Sequence, residues 1–281
     1  MKLISTSKEY RSWRNKISGT IGFVPTMGAL HDGHLSLIQE SNNLCKFTIV
    51  SIYVNPTQFS SNEDLDNYPQ LLDKDIAKLS NYKVDALFLP SNSEMYPDGF
   101  FVIDYKSPLD NLLEGKSRPH FFKGVITIVS LFFEIIKPTH AFFGEKDAQQ
   151  RRVIEEYVNN CNISINIITC PIIREQNGLA MSSRNQYLTS NEFDQAKVIF
   201  QALEIGKKLL ILGERNPKKI KTAIRNKLKS EKNLSIDYLS ISNSDTLNEI
   251  SSKIISNVLV SIAVYIREVR LIDNFNFIIE N

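Results

Sequence analysis

Apolar and amphipathic segments alternate along roughly the first 175 residues of the chain. Because the apolar segments are hydrophobic nearly throughout, they are typical of parallel strands that are covered on both faces. The pattern therefore predicts an α/β fold, a doubly wound, mostly parallel, Rossmann-like sheet that binds ligands beyond the carboxyl ends of its strands. The predicted strands are 20–24, 47–54, 84–89, 140–143 and 163–169, and the predicted helices are 33–44, 73–81, 123–137 and 147–160.

The pattern changes after Arg184. Two amphipathic stretches punctuated by Gly213 and Pro217 predict helices, and three β-branched runs after them predict strands. The helices are expected at 191–212 and 216–230, and the strands at 236–241, 254–265 and 267–272. We therefore expect a Rossmann-like domain over residues 1–176 and a smaller α+β domain over 177–281.

The composition disfavours nucleic-acid-binding, membrane and disulfide-rich secreted proteins. The 281 residues carry a net charge of +2, so nucleic-acid binding is not indicated, and the lysines between 207 and 232 fit a solvated helix face. The longest apolar stretch, 125–136, contains three polar residues and predicts a buried helix rather than a membrane span. The N-terminus has no apolar signal core, and the three cysteines show no paired spacing. These features predict a cytoplasmic protein with no membrane partner.

The first candidate site lies where the strand at 20–24 gives way to the helix at 33–44. There Gly28 and Gly33 flank a turn that places His31 and His34 three residues apart, on one face of the first helical turn. Unpaired backbone N–H groups and the positive end of the helix dipole favour an anion such as phosphate at this position. The two histidines could instead be structural or bind zinc, although His120 and His140 do not supply a ligand-like spacing.

Polar clusters also follow other predicted strands. Lys146 comes after the strand at 140–143, where an ammonium can neutralise phosphate charge, and Asn55 begins a polar turn after the strand at 47–54. Residues 178–185 combine small hydroxyl residues with Arg184, as a loop that binds a phosphate tail does. Taken singly, each cluster could be only a helix cap, a turn or a linker. A glycine-rich dinucleotide turn is excluded because no two glycines are separated by one residue, and 115–117 lacks the rest of a Walker loop.

Together these clusters resemble the pantothenate synthetase family along nearly the whole chain, and His31–His34 resembles the HIGH motif of the nucleotidyltransferase superfamily. The matching motifs are V-P-T-M-G-A-L-H-D-G-H (24–34), V-N-P-T-Q-F (54–59), the Y-P pairs at 68–69 and 96–97, L-E-G-K-S-R-P (113–119), F-F-G-E-K-D-A-Q-Q (142–150), G-L-A-M-S-S-R-N (178–185) and R-L-I-D-N (270–274).

The resemblance implies an ATP-dependent ligase that condenses pantoate with β-alanine through a pantoyl-adenylate and releases AMP and pyrophosphate. It implies Mg²⁺ as cofactor, a homodimer as the assembly, and His31, His34 and Lys146 as catalytic residues. Because water would destroy the adenylate, the smaller domain is expected to act as a lid. The residues implied for ATP binding are Met27, Gly28, Ala29, Leu30, His31, Asp32, Gly33, His34, Gly144, Glu145, Lys146, Asp147, Ile173, Met181, Ser182, Ser183 and Arg184.

The same resemblance implies that pantoate and β-alanine are bound by Gln58, Gln150, Asn55 and Arg118, and that Asp75 lies near magnesium. Two positions depart from the family pattern. The usual R-P-G-H-F reads R-P-H-F-F here, so the family histidine is displaced to His120, and an alanine, Ala148, replaces a common aromatic residue. The alternatives are another HIGH-motif nucleotidyltransferase, such as a cytidylyltransferase or a tRNA-charging enzyme, and a nucleotide-sensing protein without catalysis.

Overall fold

The computed structural model describes residues 1–60, 63–100 and 102–279, and the chain divides into two units. Six strands form the sheet of the first unit. Their order is β1-β4-β3-β2-β5-β6, and each neighbouring pair is parallel, so the predicted Rossmann-like sheet is confirmed. Residues of the central strands such as Phe23, Ile49 and Leu87 are fully buried, as expected for a sheet covered on both faces. The strands are β1 (Lys2–Ile4), β2 (Ile21–Thr26), β3 (Phe47–Ile52), β4 (Ala86–Phe88), β5 (His140–Gly144) and β6 (Asn166–Cys170).

Helices connect these strands. The apolar stretch at 125–136 lies within a helix whose buried residues include Val125, Val129 and Phe132, as predicted. That helix ends at Lys137, which adopts the left-handed conformation with φ of 49°. Within the described ranges, every helix is too short or too polar to cross a lipid bilayer. The helices are α1 (Ser7–Arg14), α2 (Asp32–Leu44), α3 (Leu72–Leu79), α4 (Asn92–Met95), α5 (Leu113–Ser117), α6 (Phe121–Ile136) and α7 (Ala148–Asn160).

The second unit packs two helices against a three-stranded antiparallel sheet of order β7-β8-β9. Ile199, Ile224, Val260 and Ile262 are fully buried in its core. The two helices approach closely at Gly206, where an added Cβ would lie 2.6 Å from the Cδ1 atom of Ile224. The elements are α8 (Ser190–Ile211), α9 (Pro217–Leu228), β7 (Leu234–Asn243), β8 (Val258–Ile266) and β9 (Val269–Phe277). The predicted α+β class of this part is confirmed.

The strand predicted at 267–272 continues to Phe277 as β9. The apolar pattern stops at Asp273 and Asn274, yet both residues are buried, at 1% and 3% exposure. A hydrophobicity pattern cannot follow a strand through buried polar residues, which is why the prediction stopped early.

The boundary between the units differs from the predicted one. The first unit comprises Met1–Glu145 and Gln150–Pro171, and the second comprises Lys146–Gln149 and Ile172–Asn281. The change of unit after β6 thus comes five residues earlier than predicted. The second unit also takes a four-residue segment that interrupts the first.

Candidate active site

Three of the predicted clusters lie at one edge of the first unit's sheet. In that sheet β2 lies between β3 and β5, and all three strands are parallel. The turn that contains His31 and His34 follows β2, the turn Pro56–Gln58 follows β3, and Glu145 follows β5. Since parallel strands end at a common edge, the chain folds so that these three turns are neighbours.

The two histidines cap α2 with their own rings. The His31 Nδ1 atom accepts a hydrogen bond from the Gly33 N–H at 3.1 Å, and the His34 Nδ1 atom accepts one from the His31 N–H at 3.3 Å. The two ring centroids are 4.1 Å apart. An imidazole that accepts at Nδ1 carries its proton on Nε2, so the pair presents two Nε2–H donors in its neutral form.

This arrangement corrects one expectation. The sequence predicts unpaired backbone N–H groups at the start of α2 that receive an anion, but the N–H groups of His31 and Gly33 donate to the imidazoles. Two of the amides are therefore paired with imidazole nitrogens, and a phosphate bound at this position would meet the Nε2–H side of the rings instead. The helix dipole still favours negative charge at this end of α2.

Two side chains from α3 hold the turn before His31. The two carboxylate oxygens of Asp75 accept the N–H groups of Ala29 and Leu30, each at 2.8 Å, and the Lys78 ammonium donates to the Leu30 carbonyl. Asp75 is only 1% exposed. Ala29 adopts a φ of 49°, which L-residues seldom take, so these bonds hold a conformation that the backbone does not favour by itself. We call Asp75 and Lys78 the α3 clamp.

The α3 clamp also bears on the expected magnesium site. Both Asp75 oxygens are engaged by backbone amides rather than presented together to an ion. Among the described residues no group of three or more His, Cys, Asp or Glu side chains is arranged to hold a metal. The protein therefore offers Mg²⁺ no cage of its own in the described ranges.

Asn55 shapes the turn that carries Gln58. Asn55 is 1% exposed; its Nδ2 donates to the Gly124 carbonyl at 3.2 Å and its Oδ1 accepts from the Tyr96 hydroxyl at 2.7 Å. Burial raises the pKa of Tyr96, so this hydroxyl keeps its proton further into the alkaline range than an exposed tyrosine does. Gly124 lies so close to the turn that an added Cβ would be 2.2 Å from the Thr57 carbonyl oxygen. Asn55 thereby fixes the backbone from which the half-buried Gln58 projects.

Arg118 supports the same turn. Its guanidinium forms a two-point ion pair with Glu63, with both N···O distances 2.6 Å, and donates to the Gln58 carbonyl at 3.0 Å. Its charged end lies 3.8 Å from the ring centre of Phe121, the residue that replaces the family histidine. In this structure Arg118 thus holds Gln58 rather than standing ready for a substrate carboxylate. The fourth residue expected to bind pantoate or β-alanine, Gln150, lies half-buried in α7.

The second unit carries the other predicted ATP-binding residues. Lys146 and Asp147 belong to a single 3₁₀ turn before α7, and the Lys146 carbonyl accepts a hydrogen bond from Asn274 Nδ2 at 2.8 Å. Ile173 lies at the base of a hairpin, where its carbonyl accepts from the Met181 N–H at 2.9 Å. Ser182, Ser183 and Arg184 follow directly.

Ser182 is the N-cap of the 3₁₀ turn Ser183–Tyr187, since its Oγ accepts from the Arg184 N–H at 3.3 Å. The structure thus divides the predicted ATP-binding set between the units. The first unit holds residues 27–34 with Gly144 and Glu145, and the second holds Lys146, Asp147, Ile173 and 181–184.

Sequence reasoning missed the residues that hold these groups in place. Asp75 had been expected near a metal, Lys78 had no role, and Asp273 and Asn274 were known only as part of a matching motif. Asp75 lies 45 residues from the turn it holds. A buried carboxylate in a helix is the only local signal that such a contact exists.

Comparisons with known proteins match one family over nearly the whole chain. Residues 2–276 match the family model described as pantoate-beta-alanine ligase. A pantothenate synthetase of Caldicellulosiruptor saccharolyticus is 47% identical over 255 residues, covering 91% of this chain and 90% of its own length. One from Acetivibrio thermocellus is 44% identical and covers 98% of both.

Solved structures give the same result. The crystal structure of pantothenate synthetase from Thermus thermophilus superposes with a TM-score of 0.93 at 36% identity, covering 98% of this chain and 99% of that one. The Francisella tularensis pantoate-beta-alanine ligase, complexed with beta-gamma ATP and beta-alanine, superposes with a TM-score of 0.79 at 37% identity, covering 98% and 97%.

Proposed function

This chain belongs to the pantoate–β-alanine ligase family and condenses pantoate with β-alanine at the expense of ATP, and we propose that His31, His34 and Lys146 are the groups that stabilise the triphosphate during adenylation. The observation that carries the proposal is the pair of imidazoles that accept at Nδ1 and therefore donate from Nε2. Two such donors at one edge of the sheet suit an anion whose charge grows in the transition state.

The reaction runs in two transfers. In the first, a carboxylate oxygen of pantoate attacks the α-phosphorus of ATP, an O–P bond forms, and the bond to the bridging oxygen breaks, so that pyrophosphate leaves with its electron pair. In the second, the β-alanine amine attacks the acyl carbon, AMP leaves, and the amine loses a proton. No protein nucleophile is needed, so the protein contributes positioning and electrostatic stabilisation.

The first transfer brings a carboxylate toward a polyanion, and this repulsion is what the protein must offset. The imidazole Nε2–H groups and the Lys146 ammonium supply preorganised positive potential, and Ser182, Ser183 and Arg184 supply further donors. We assign Mg²⁺ to the phosphates of the incoming nucleotide, because the described residues form no cage for it. Because both Asp75 oxygens accept backbone N–H groups, we assign Asp75 the role of a clamp rather than that of a metal ligand.

We assign the binding of pantoate and β-alanine to the side-chain amides of Gln58 and Gln150. Neutral amides can bind a hydroxyl and a carboxylate without neutralising the carboxylate that must act as nucleophile. Asn55 and Arg118 act on these substrates through the Gln58 turn, which both of them hold. The second unit, residues 146–149 and 172–281, acts as the lid that excludes water from the adenylate. We also propose that the enzyme works as a homodimer in the cytoplasm.

Single-turnover formation of pantoyl-adenylate from ATP and pantoate tests these assignments. His34→Ala and Lys146→Ala are each expected to lower the rate by roughly 10²–10³-fold, the cost of removing one preorganised donor to a developing charge. His140→Ala is the matched control, because His140 begins β5 and so lies at the opposite edge of the sheet. Near wild-type adenylation in either site variant would remove that residue from the mechanism.

Two further variants at position 34 separate capping from chemistry. In His34→Asn the side-chain oxygen can still accept the His31 N–H, but the donor at the Nε2 position is lost, so the rate is expected to remain low. In His34→Gln the amide reaches that position, and part of the rate is expected to return. If the Asn variant is as active as wild type, His34 is only a cap. Activity that requires CTP or tRNA would assign the chain to another branch of the superfamily.

A further inference from the structure

The motif R-L-I-D-N at 270–274 takes no part in the scheme above, yet it contains two buried polar residues. Asp273 and Asn274 are consecutive on β9, and they are 1% and 3% exposed. Burying a carboxylate and an amide costs free energy unless both make specific bonds. Their partners therefore indicate why the strand carries them.

Asp273 binds the hairpin that leads to the serine–arginine loop. Arg174 donates to both of its oxygens, from Nη1 at 2.7 Å and from Nη2 at 3.1 Å, and Asp273 is fully buried in this ion pair. Arg174 also donates to the Gly178 carbonyl at 3.0 Å, and it pairs with Ala180 across the hairpin. A two-point bond to a planar guanidinium fixes orientation as well as distance. Asp273 thus fixes the base of the segment that continues into 181–184.

Asn274 binds the segment that carries Lys146. Its Nδ2 donates to the Lys146 backbone carbonyl at 2.8 Å, 128 residues away along the chain. Burial raises the pKa of Asp273, and the hydrogen bond and charge of Arg174, with a smaller contribution from the charge of Lys146, oppose that rise. Two neighbouring residues of one strand therefore reach both parts of the second unit that we assign to the triphosphate.

We propose that Asp273 and Asn274 are positioning residues for adenylation, with Asn274 holding the backbone of Lys146 and Asp273 holding the 174–180 hairpin, so that one strand sets the spacing between the ammonium and the serine–arginine loop. The inference rests on the proposed role of Lys146 in binding the triphosphate. A rigid strand suits this task, because small displacements of a charged group are costly: a misplacement of about 1 Å can lower a rate by on the order of 10²-fold.

The test compares Asn274→Ala with Asn276→Ala, the same change two residues along β9 at an exposed position. Single-turnover adenylate formation in Asn274→Ala is expected to fall roughly 10- to 100-fold, while Asn276→Ala stays near wild type. Asn274→Leu fills the same space without the donor and is expected to behave like the alanine variant. A wild-type rate in folded Asn274→Leu would overturn the proposal.

A double-mutant cycle with Lys146→Ala distinguishes positioning from general support of the fold. If Asn274 acts through Lys146, Asn274→Ala has little further effect on the rate once the ammonium is gone. An undiminished additional loss would overturn the proposal. If Lys146→Ala alone adenylates at the wild-type rate, the proposed function of Lys146 is wrong. If Lys146→Ala is impaired but Asn274→Ala is not, the function of Lys146 stands and only the positioning role of Asn274 is wrong.

Asp273→Asn tests the other half of the pair. It keeps the shape of the side chain but replaces the charge that Arg174 binds in two places. The KM for ATP is expected to rise several-fold while the KM for β-alanine is unchanged, since the β-alanine amine reacts only in the second transfer, after the triphosphate has been consumed. Equal effects on both constants would indicate a structural role only and would count against the proposal.

Discussion

At the scale of single residues, the proposed site depends on groups other than those assigned to the substrates. A hydrogen bond from a backbone N–H to Nδ1 fixes the tautomer of each imidazole. The α3 clamp stabilises the conformation of the turn that precedes the two histidines. Ala29 would not adopt a φ of 49° without compensation. The chemistry of the two histidines is therefore linked to a carboxylate on another helix.

We predict that Asp75→Asn lowers adenylate formation and also destabilises the first unit. The amide keeps one acceptor but turns an NH₂ group toward a backbone N–H, so one buried bond to a charged group is lost, worth about 1.5–3 kcal/mol. Asp73→Asn on the exposed side of α3 is the matched control. Urea unfolding and single-turnover kinetics measure the two effects.

Excess Mg²⁺ distinguishes the clamp from a metal ligand. If Asp75 only holds the turn, raising the Mg²⁺ concentration leaves the Asp75→Asn rate unchanged. Recovery of the rate with added Mg²⁺ would show that Asp75 binds the ion, and it would contradict the role assigned here.

At the scale of elements, the strength of the sequence pattern decided what could be predicted. The helix α6 buries ten of its sixteen residues, and its apolar pattern predicted it within two residues at either end. In contrast, α1 buries only Tyr10, and β1 has three residues, so neither produced a recognisable pattern. Such elements are set by contacts with the rest of the fold, as when β1 pairs with β4.

The start of α8 shows a local signal that sequence alone does contain. Thr189 and Glu192 form a reciprocal capping box, in which Glu192 accepts from both the N–H and the hydroxyl of Thr189. The Thr189 N–H and hydroxyl lower the pKa of Glu192 below its ordinary value of 4.5, burial opposes this, and Arg267, 3.1 Å away, adds to it.

We predict that wild type and Glu192→Gln differ in stability at neutral pH and converge in acid. A carboxyl whose pKa is lowered by folding contributes stability above its ordinary pKa, and this contribution is lost as the pH falls through the lowered value. Glutamine can still complete the capping box, so the difference isolates the charge. Urea unfolding of both proteins from pH 7 down to pH 3 measures it. A difference that does not change with pH would contradict the prediction.

At the scale of the whole molecule, the motifs predicted which segments carry candidate site residues but not how these segments are divided between the two units. A boundary read from composition is necessarily a single point in the chain, whereas Lys146–Gln149 belongs with residues that follow it by more than twenty positions. The bonds responsible, such as the one from Asn274 to Lys146, connect residues with no relation in the sequence pattern. The proposed catalytic residues lie within short local motifs that sequence reasoning can identify, whereas the residues that support them lie far away along the chain and carry no such signal.

The proposed assignment of ATP-binding residues to both units predicts how the enzyme responds to ATP and pantoate. With these two substrates but no β-alanine, the adenylate accumulates, and amide hydrogen exchange is expected to slow at both 27–34 and 181–187, since the proposal assigns nucleotide-binding groups to each unit. At ligand concentrations about 100-fold above Kd, the slowing can approach roughly 100-fold where opening releases the ligand. The helix α9, which carries no predicted site residue, is the internal control, and CTP in place of ATP is the ligand control. Slowing confined to 27–34 would mean that the second unit does not hold the nucleotide, and the proposed lid and the roles of Lys146, Asp273 and Asn274 would be wrong together.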